Sequence, residues 1–134
     1  MQNLQLAQDY IQRSRKRLFS IQTLYEHEAW PDVVRECQEV VELACKAFLR
    51  MNHIDPPRTH DVSDVLKREI ATFTAEAQKV IPKIARISHS LRRDRELAYY
   101  GSEDLTPSEF YQQEDAEEAL RNATWVVDSL EPFF

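Results

Sequence analysis

The sequence predicts an all-α protein, an antiparallel bundle of four long helices plus a short fifth helix. Three observations predict it. Apolar residues recur at steps of three and four along most of the chain, the period of a helix that buries one face. A single glycine, Gly101, occurs in 134 residues, whereas sheets with tight hairpins usually need more. Proline and capping residues stand where helices should begin, at Trp30-Pro31-Asp32 and Thr106-Pro107-Ser108-Glu109.

The first helix is predicted over about residues 3–28, with Leu4, Ala7, Ile11, Ser14, Leu18, Ile21 and Tyr25 on its inner face. Trp30-Pro31-Asp32 interrupts it. Pro31 suits the first turn of a second helix, because its missing N–H would have no intrahelical partner there. Val33, Cys37, Val40, Val41, Ala44, Ala47, Phe48 and Met51 mark the buried face of that helix to about residue 51. Residues 52–58, with Pro56-Pro57, form a stiff loop. Thr59 is the candidate N-cap of a short third helix through Val62, Val65, Leu66 and Ile70.

A fourth helix covers about residues 75–100, where Pro82 should start or kink it. Gly101 is a natural stop, since glycine enters the left-handed cap without steric cost. Thr106-Pro107-Ser108-Glu109 reads as a capping box opening a last helix to about Glu131. Its inward residues are Ala116, Ala119, Leu120, Ala123, Val126, Val127 and Leu130. No internal repeat or long linker divides the chain, so one domain over 1–134 is expected.

Composition narrows the function classes. No apolar run approaches the ~20 residues that span a bilayer, and the polar N-terminus does not read as a signal peptide. Cys37 and Cys45, eight residues apart on one helix, would lie about 12 Å apart, too far for a disulfide. They read as reduced core residues of a cytoplasmic protein. The four histidines and two cysteines show no C-x-x-C or H-x-x-x-H spacing, so no metal site or cofactor is expected. One glycine also leaves no room for a glycine-rich phosphate loop.

The net charge of −6 is uneven. Residues 101–134 hold nine acids against Arg121, while the first hundred residues are slightly basic. Lys79, Lys83, Arg86, Arg92, Arg93 and Arg95 stand against one acid, Asp94, and a second cluster is Arg13, Arg15, Lys16 and Arg17. Either the acidic last helix neutralises the basic one within the fold, or the basic residues form a groove for phosphates or RNA.

The inner stripe of the fourth helix runs Ile81, Ile84, Ser88, Leu91, Arg95, Ala98. A guanidinium in such a stripe is costly unless something pairs with it. Tyr99 and Tyr100 follow at the helix end. A guanidinium forks onto phosphate, and a tyrosine can stack a base or donate its hydroxyl. Arg92, Arg95, Tyr99 and Tyr100 are therefore the candidate ligand-binding residues. Alternatively, both rings cap the bundle end and Arg95 pairs with an acid such as Glu96 or Asp115.

The order of these features resembles the HEPN domain (higher eukaryotes and prokaryotes nucleotide-binding), over nearly the whole chain. Val41-Glu42-Leu43-Ala44-Cys45-Lys46-Ala47-Phe48-Leu49 is similar to the family's E-x-x-x-K-A-x-L stretch. Thr59-His60-Asp61-Val62 is similar to its T-H-D-L opening of the third helix. Arg95-Glu96-Leu97-Ala98-Tyr99-Tyr100-Gly101 resembles R-E-x-A-x-Y-G, and Pro107, Tyr111, Asp115 and Ala116 its closing P-x-x-x-Y-x-x-x-D-A. The resemblance implies a helical homodimer with a cleft between subunits, and often a minimal nucleotidyltransferase partner in a toxin–antitoxin pair.

Ribonuclease members carry R-x-x-x-x-H, with four to six residues between. Arg95 matches the arginine, but Tyr100 stands five later and no histidine follows in residues 96–134. Metal-free RNA cleavage needs a group that moves protons near neutral pH, which histidine does and an unperturbed tyrosine does not. The leading expectation is thus a dimeric module that binds a nucleotide or a nucleotidyltransferase, without strong catalysis of its own. The alternatives are a ribonuclease toxin using Arg95 with Tyr100 or with a histidine outside the motif (His60 or His89), and a purely structural interaction protein.

Overall fold

The computed structural model describes residues 2–58, 61–101 and 105–134, with the backbone alone for residues 2, 3 and 94–99. Its elements are α1 (Gln2–Glu26), α2 (Trp30–Met51), α3 (Val62–Arg68), a 3-10 turn (Ile70–Thr72), α4 (Ala75–Tyr100), α5 (Pro107–Phe110), α6 (Gln113–Leu130) and a closing 3-10 turn (Glu131–Phe133). No strand occurs among the described residues. The predicted all-α bundle is present, with two short helices where the sequence suggested one.

α2 is the axis of the bundle and packs against α1, α4 and α6. Its sequence explains why. Val33, Val34, Cys37, Val40, Val41, Ala44, Cys45, Ala47, Phe48 and Leu49 are all buried, so the apolar surface wraps well beyond a single stripe. A helix buried on several sides needs such a surface. α1 offers a narrower stripe, Ala7, Ile11, Ser14, Leu18 and Ile21, against it. The Ser14 hydroxyl is satisfied inside this stripe by donating to the Tyr10 carbonyl at 2.9 Å. α1 stops two residues earlier than the periodicity suggested, and Glu28 takes a left-handed backbone with φ of 58°. The ring of Tyr25 meets Trp30 edge-on across this turn, at 5.0 Å between centroids.

Pro82 neither starts α4 nor ends it. The helix begins at Ala75, where the Ala77 N–H reaches the Thr74 hydroxyl at 3.3 Å. Pro82 lies on the exposed side, so the Gln78 carbonyl that loses its helical donor is on the face water can reach. At the other end Gly101 has φ of +79°, and a Cβ there would meet the Leu105 oxygen at 2.7 Å and Pro107 Cδ at 2.8 Å. Both backbone and space therefore demand glycine.

Two predicted details are corrected. The N-cap of α3 is Asp61, whose carboxylate accepts from the Ser63 N–H at 3.0 Å. Thr59, the expected cap, lies outside the described residues, as does His60. The capping box of Thr106 and Glu109 forms as read, yet its helix lasts four residues. Tyr111 then turns extended, and Gln112 opens α6 by donating its N–H to Asp115 at 2.8 Å. The break has a packing reason. It turns the Tyr111 ring inward, leaving the residue 3% exposed beside Val34 and Leu91.

Charges tie the outer helices together. The Arg15 guanidinium of α1 bonds both Asp128 and Glu131 at the end of α6, and Lys83 of α4 lies 4.2 Å over the Trp125 ring. Carboxylates at the end of the acidic last helix thus do neutralise a basic residue within the fold, Arg15 of α1.

Phe48 shows what the core depends on. It is 1% exposed and meets Phe73 edge-on at 4.8 Å and Phe133 at 5.8 Å, so it joins α2 to both the α3–α4 connection and the chain's last turn. Phe48→Ala should lower unfolding free energy by about 3–5 kcal/mol in urea titration. A loss below about 1 kcal/mol would mean that this aromatic cluster does not anchor the core.

Candidate phosphate-binding face

The second half of α4 carries His89 and Arg92 one turn apart, on the same side of the helix. Each meets a carboxylate from a different element. His89 Nδ1 lies 3.0 Å from Asp61 Oδ2, while the other oxygen of Asp61 caps α3. Arg92 Nη1 lies 3.9 Å from Glu42 Oε1 on α2. Glu42 is itself held from its own helix, by Lys46 one turn on at 3.5 Å and by the Gln38 amide one turn back at 2.8 Å. Gln38, Glu42, Lys46 and Arg92 therefore form one connected group, and Asp61 with His89 a second beside it, coupled to the first through the Arg92 charge. The carboxylates sit deeper than the cations: the side chains of Glu42 and Asp61 are 20% and 16% exposed, those of Arg92 and His89 38% and 63%.

Burial alone would push the Asp61 carboxyl up. The Ser63 N–H, the His89 hydrogen bond and the Arg92 charge outweigh it, and the group titrates below the usual carboxylate range. An ionised Asp61 accepts the Nδ1 proton of His89. That bond leaves Nε2 on the side of the ring away from the carboxylate. The Arg92 guanidinium can donate to a phosphate oxygen, and the imidazole one turn away can take a proton at Nε2 from a group beside it, or donate one from Nε2 when it carries it.

A further cleft of about 110 Å³ lies on the other side of Glu42, lined by Arg13 and Arg17 of α1 and by Glu39, Glu42, Leu43 and Lys46 of α2. Another, of about 100 Å³, lies between α4 and α6 beside Ser90, Leu91, Tyr111 and Asp115. Cys37 and Cys45 take no part in this chemistry. Burial, with Glu36 nearby, pushes the Cys37 thiol up to about 12, and burial with Glu42 and Asp61 pushes Cys45 higher still. Neither presents a thiolate nucleophile at neutral pH.

The sequence-predicted site residues fare differently. Arg92 belongs to the connected group. Tyr100 ends α4 and is 73% exposed. Arg95 and Tyr99 occupy α4, but their side chains lie outside the described residues. The stripe leading to Arg95 is buried as read, through Ile81, Ile84, Ser88 and Leu91. Sequence reasoning placed Glu42 in a family stretch without giving it a contact, and named His89 only as a histidine outside the motif. The signal for Glu42 was its i, i+4 spacing to Lys46. For His89 it was the spacing of three to Arg92, but nothing local announces an acid twenty-eight residues earlier in the chain.

A family model described as the HEPN domain matches residues 7–132. The chain belongs to the HEPN domain family. A protein of Methanocaldococcus jannaschii named "Putative toxin MJ1304" is 32% identical over 137 residues, covering 98% of this chain and 90% of that protein. No solved structure gives a significant match. Among the described residues no helix is long and apolar enough to cross a membrane.

Asp61 provides a stability test with a defined sign. Its folded carboxyl titrates below its unfolded value, so its contribution is fully present above about pH 4 and is lost as pH falls through the folded value. Asp61→Asn should therefore flatten the acid side of a melting-temperature profile below about pH 4 and leave the shape above it little changed. An unaltered acid limb would show that the carboxylate is not held as described.

Proposed function

We propose that this chain is the HEPN half of a toxin–antitoxin-like pair, a cytoplasmic homodimer that binds a nucleotide, an RNA or a minimal nucleotidyltransferase through the basic end of α4. Arg92, Arg95, Tyr99 and Tyr100 are its ligand-binding residues, Arg95 being the phosphate or partner anchor at the seam between protomers. The reading takes catalysis by this chain alone to be weak. The observation that carries it is the face where Arg92 meets Glu42 beside the Asp61–His89 pair. Family membership and the name of the Methanocaldococcus relative support it.

One observation favours a second reading, a metal-independent ribonuclease toxin. The Asp61–His89 pair supplies an oriented imidazole one turn from Arg92, in a chain whose R-x-x-x-x-H position holds Tyr100. His89 Nε2 would take the 2′-hydroxyl proton, the 2′ oxygen would bond to phosphorus, and the 5′ oxygen would leave with a proton from water. The product would be a cyclic phosphate. Arg92 or Arg95 would balance the charge that grows on the phosphate oxygens. Arg95 with Tyr100 is the alternative pair for the same step, with the phenol positioning the phosphate.

The readings separate by expression and by melting. In the binding reading, a nucleotide at a hundredfold over its dissociation constant adds about 2.7 kcal/mol of stability, Arg92→Ala and Arg95→Ala each abolish that shift, and expression of the chain alone leaves growth intact. In the ribonuclease reading, expression alone arrests growth, and both His89→Ala and Arg95→Ala relieve it. No nucleotide shift, no growth arrest and no co-purifying nucleotidyltransferase together would leave only the structural-interaction role. Light scattering that gave a monomer would contradict the dimer.

A further inference from the structure

Two basic clusters lie far apart in the sequence, on α1 and on α4, and α2 brings them to one carboxylate. Arg13 and Arg17 of α1 line the cleft whose other wall is Glu39, Glu42, Leu43 and Lys46. Arg92 of α4 approaches the same Glu42 from the opposite flank, at 3.9 Å. Four cations thus cross the bundle in a row, Arg17 and Arg13, then Lys46, then Arg92, with His89 at the far end. Helices pack about 8–10 Å apart, so a row from α1 over α2 to α4 is on the order of 20 Å long.

We infer that the Arg13–Arg17–Lys46 cleft extends the Arg92–His89 face into a track for the backbone of a single-stranded RNA. The inference rests on reading that face as a phosphate site, and it adds a second contact region on α1 that no family motif marks. Arg13 and Arg17 are exposed and stand one turn apart, about 6 Å along the helix, so each guanidinium can fork onto its own phosphate. Arg13 is steadied from its own helix, by Asp9 at 3.9 Å and by the Tyr10 ring at 6.0 Å.

The acids within the track choose the occupant. Glu39 and Glu42 would repel a surface that offers anions alone, such as an acidic membrane. RNA presents phosphates to the cations and 2′-hydroxyl donors to the carboxylates, which DNA lacks. The remainder of the molecule reinforces the choice of face. Glu114, Asp115, Glu117, Glu118 and Asp128 of α6 against Arg121 keep polyanions off the α6 side and steer them toward α1, α2 and α4.

The test is fluorescence anisotropy with labelled oligouridine, a dinucleotide and a decanucleotide, on the full chain and on Arg13→Ala/Arg17→Ala. Gel analysis checks that the probe stays intact, and a melting curve checks that the variant folds. The decanucleotide should bind the variant at least about tenfold more weakly, with a salt slope lower by about 1.4, the share of two single-strand phosphates. Dinucleotide affinity should stay unchanged, and the deoxy decanucleotide should bind the full chain more weakly than the ribo form. Equal decanucleotide affinity and slope in variant and full chain would overturn the track while leaving the Arg92 face standing. Failure of the full chain to bind either oligonucleotide would overturn the underlying reading as well. Vesicles of phosphatidylserine that bind the full chain and lose it in the variant would overturn the assignment to RNA.

Discussion

The Asp61 carboxylate constrains two helices at once. One oxygen caps α3 through the Ser63 N–H, and the other holds His89 on α4. Capping alone is worth about 0.5–2 kcal/mol. The second bond matters for position more than for energy. It fixes the imaginary line along which α3 meets the basic half of α4, and so fixes where an imidazole and a guanidinium point. Remove that carboxylate and the polar face loses its geometry even though the apolar core persists.

The core supplies the other half of the arrangement. α2 is buried around most of its circumference, which leaves Gln38, Glu42 and Lys46 on a narrow polar strip. A strip so placed cannot rotate away without exposing Val41 or Cys45, both within 1% of full burial. Glu42 therefore stands still between α1 and α4, and cations from both flanks converge on it. Packing in this molecule is the reason charges far apart in sequence share one surface.

Much of this was legible in the residues themselves. Steps of three and four gave the inner faces of α1, α2, α4 and α6, because burial on one side of a helix writes that period directly. Gly101 marked the end of α4 for a reason the backbone confirms. The capping box at Thr106 marked a helix start but not its length. Tyr111 breaks the helix to reach a pocket made by Val34 and Leu91, and no local pattern encodes a distant pocket. The same limit hid the Asp61–His89 pair. A reading along the chain has His89 only as a histidine outside the motif, whereas the fold sets it against the start of α3. Asp61 itself was visible inside the T-H-D motif, two residues after the threonine that seemed the better cap.

The central claim is that the Glu42–Arg92 and Asp61–His89 pairs form a face built for phosphate. It is tested most directly by following the backbone and imidazole resonances of the labelled full chain while adenosine monophosphate is added. The account predicts saturable shifts concentrated on Lys46, His89, Arg92 and their neighbours, with the His89 ring among the largest. Saturable shifts confined to the α6 surface around Tyr25 and Trp125, with His89 and Arg92 unmoved, would contradict it.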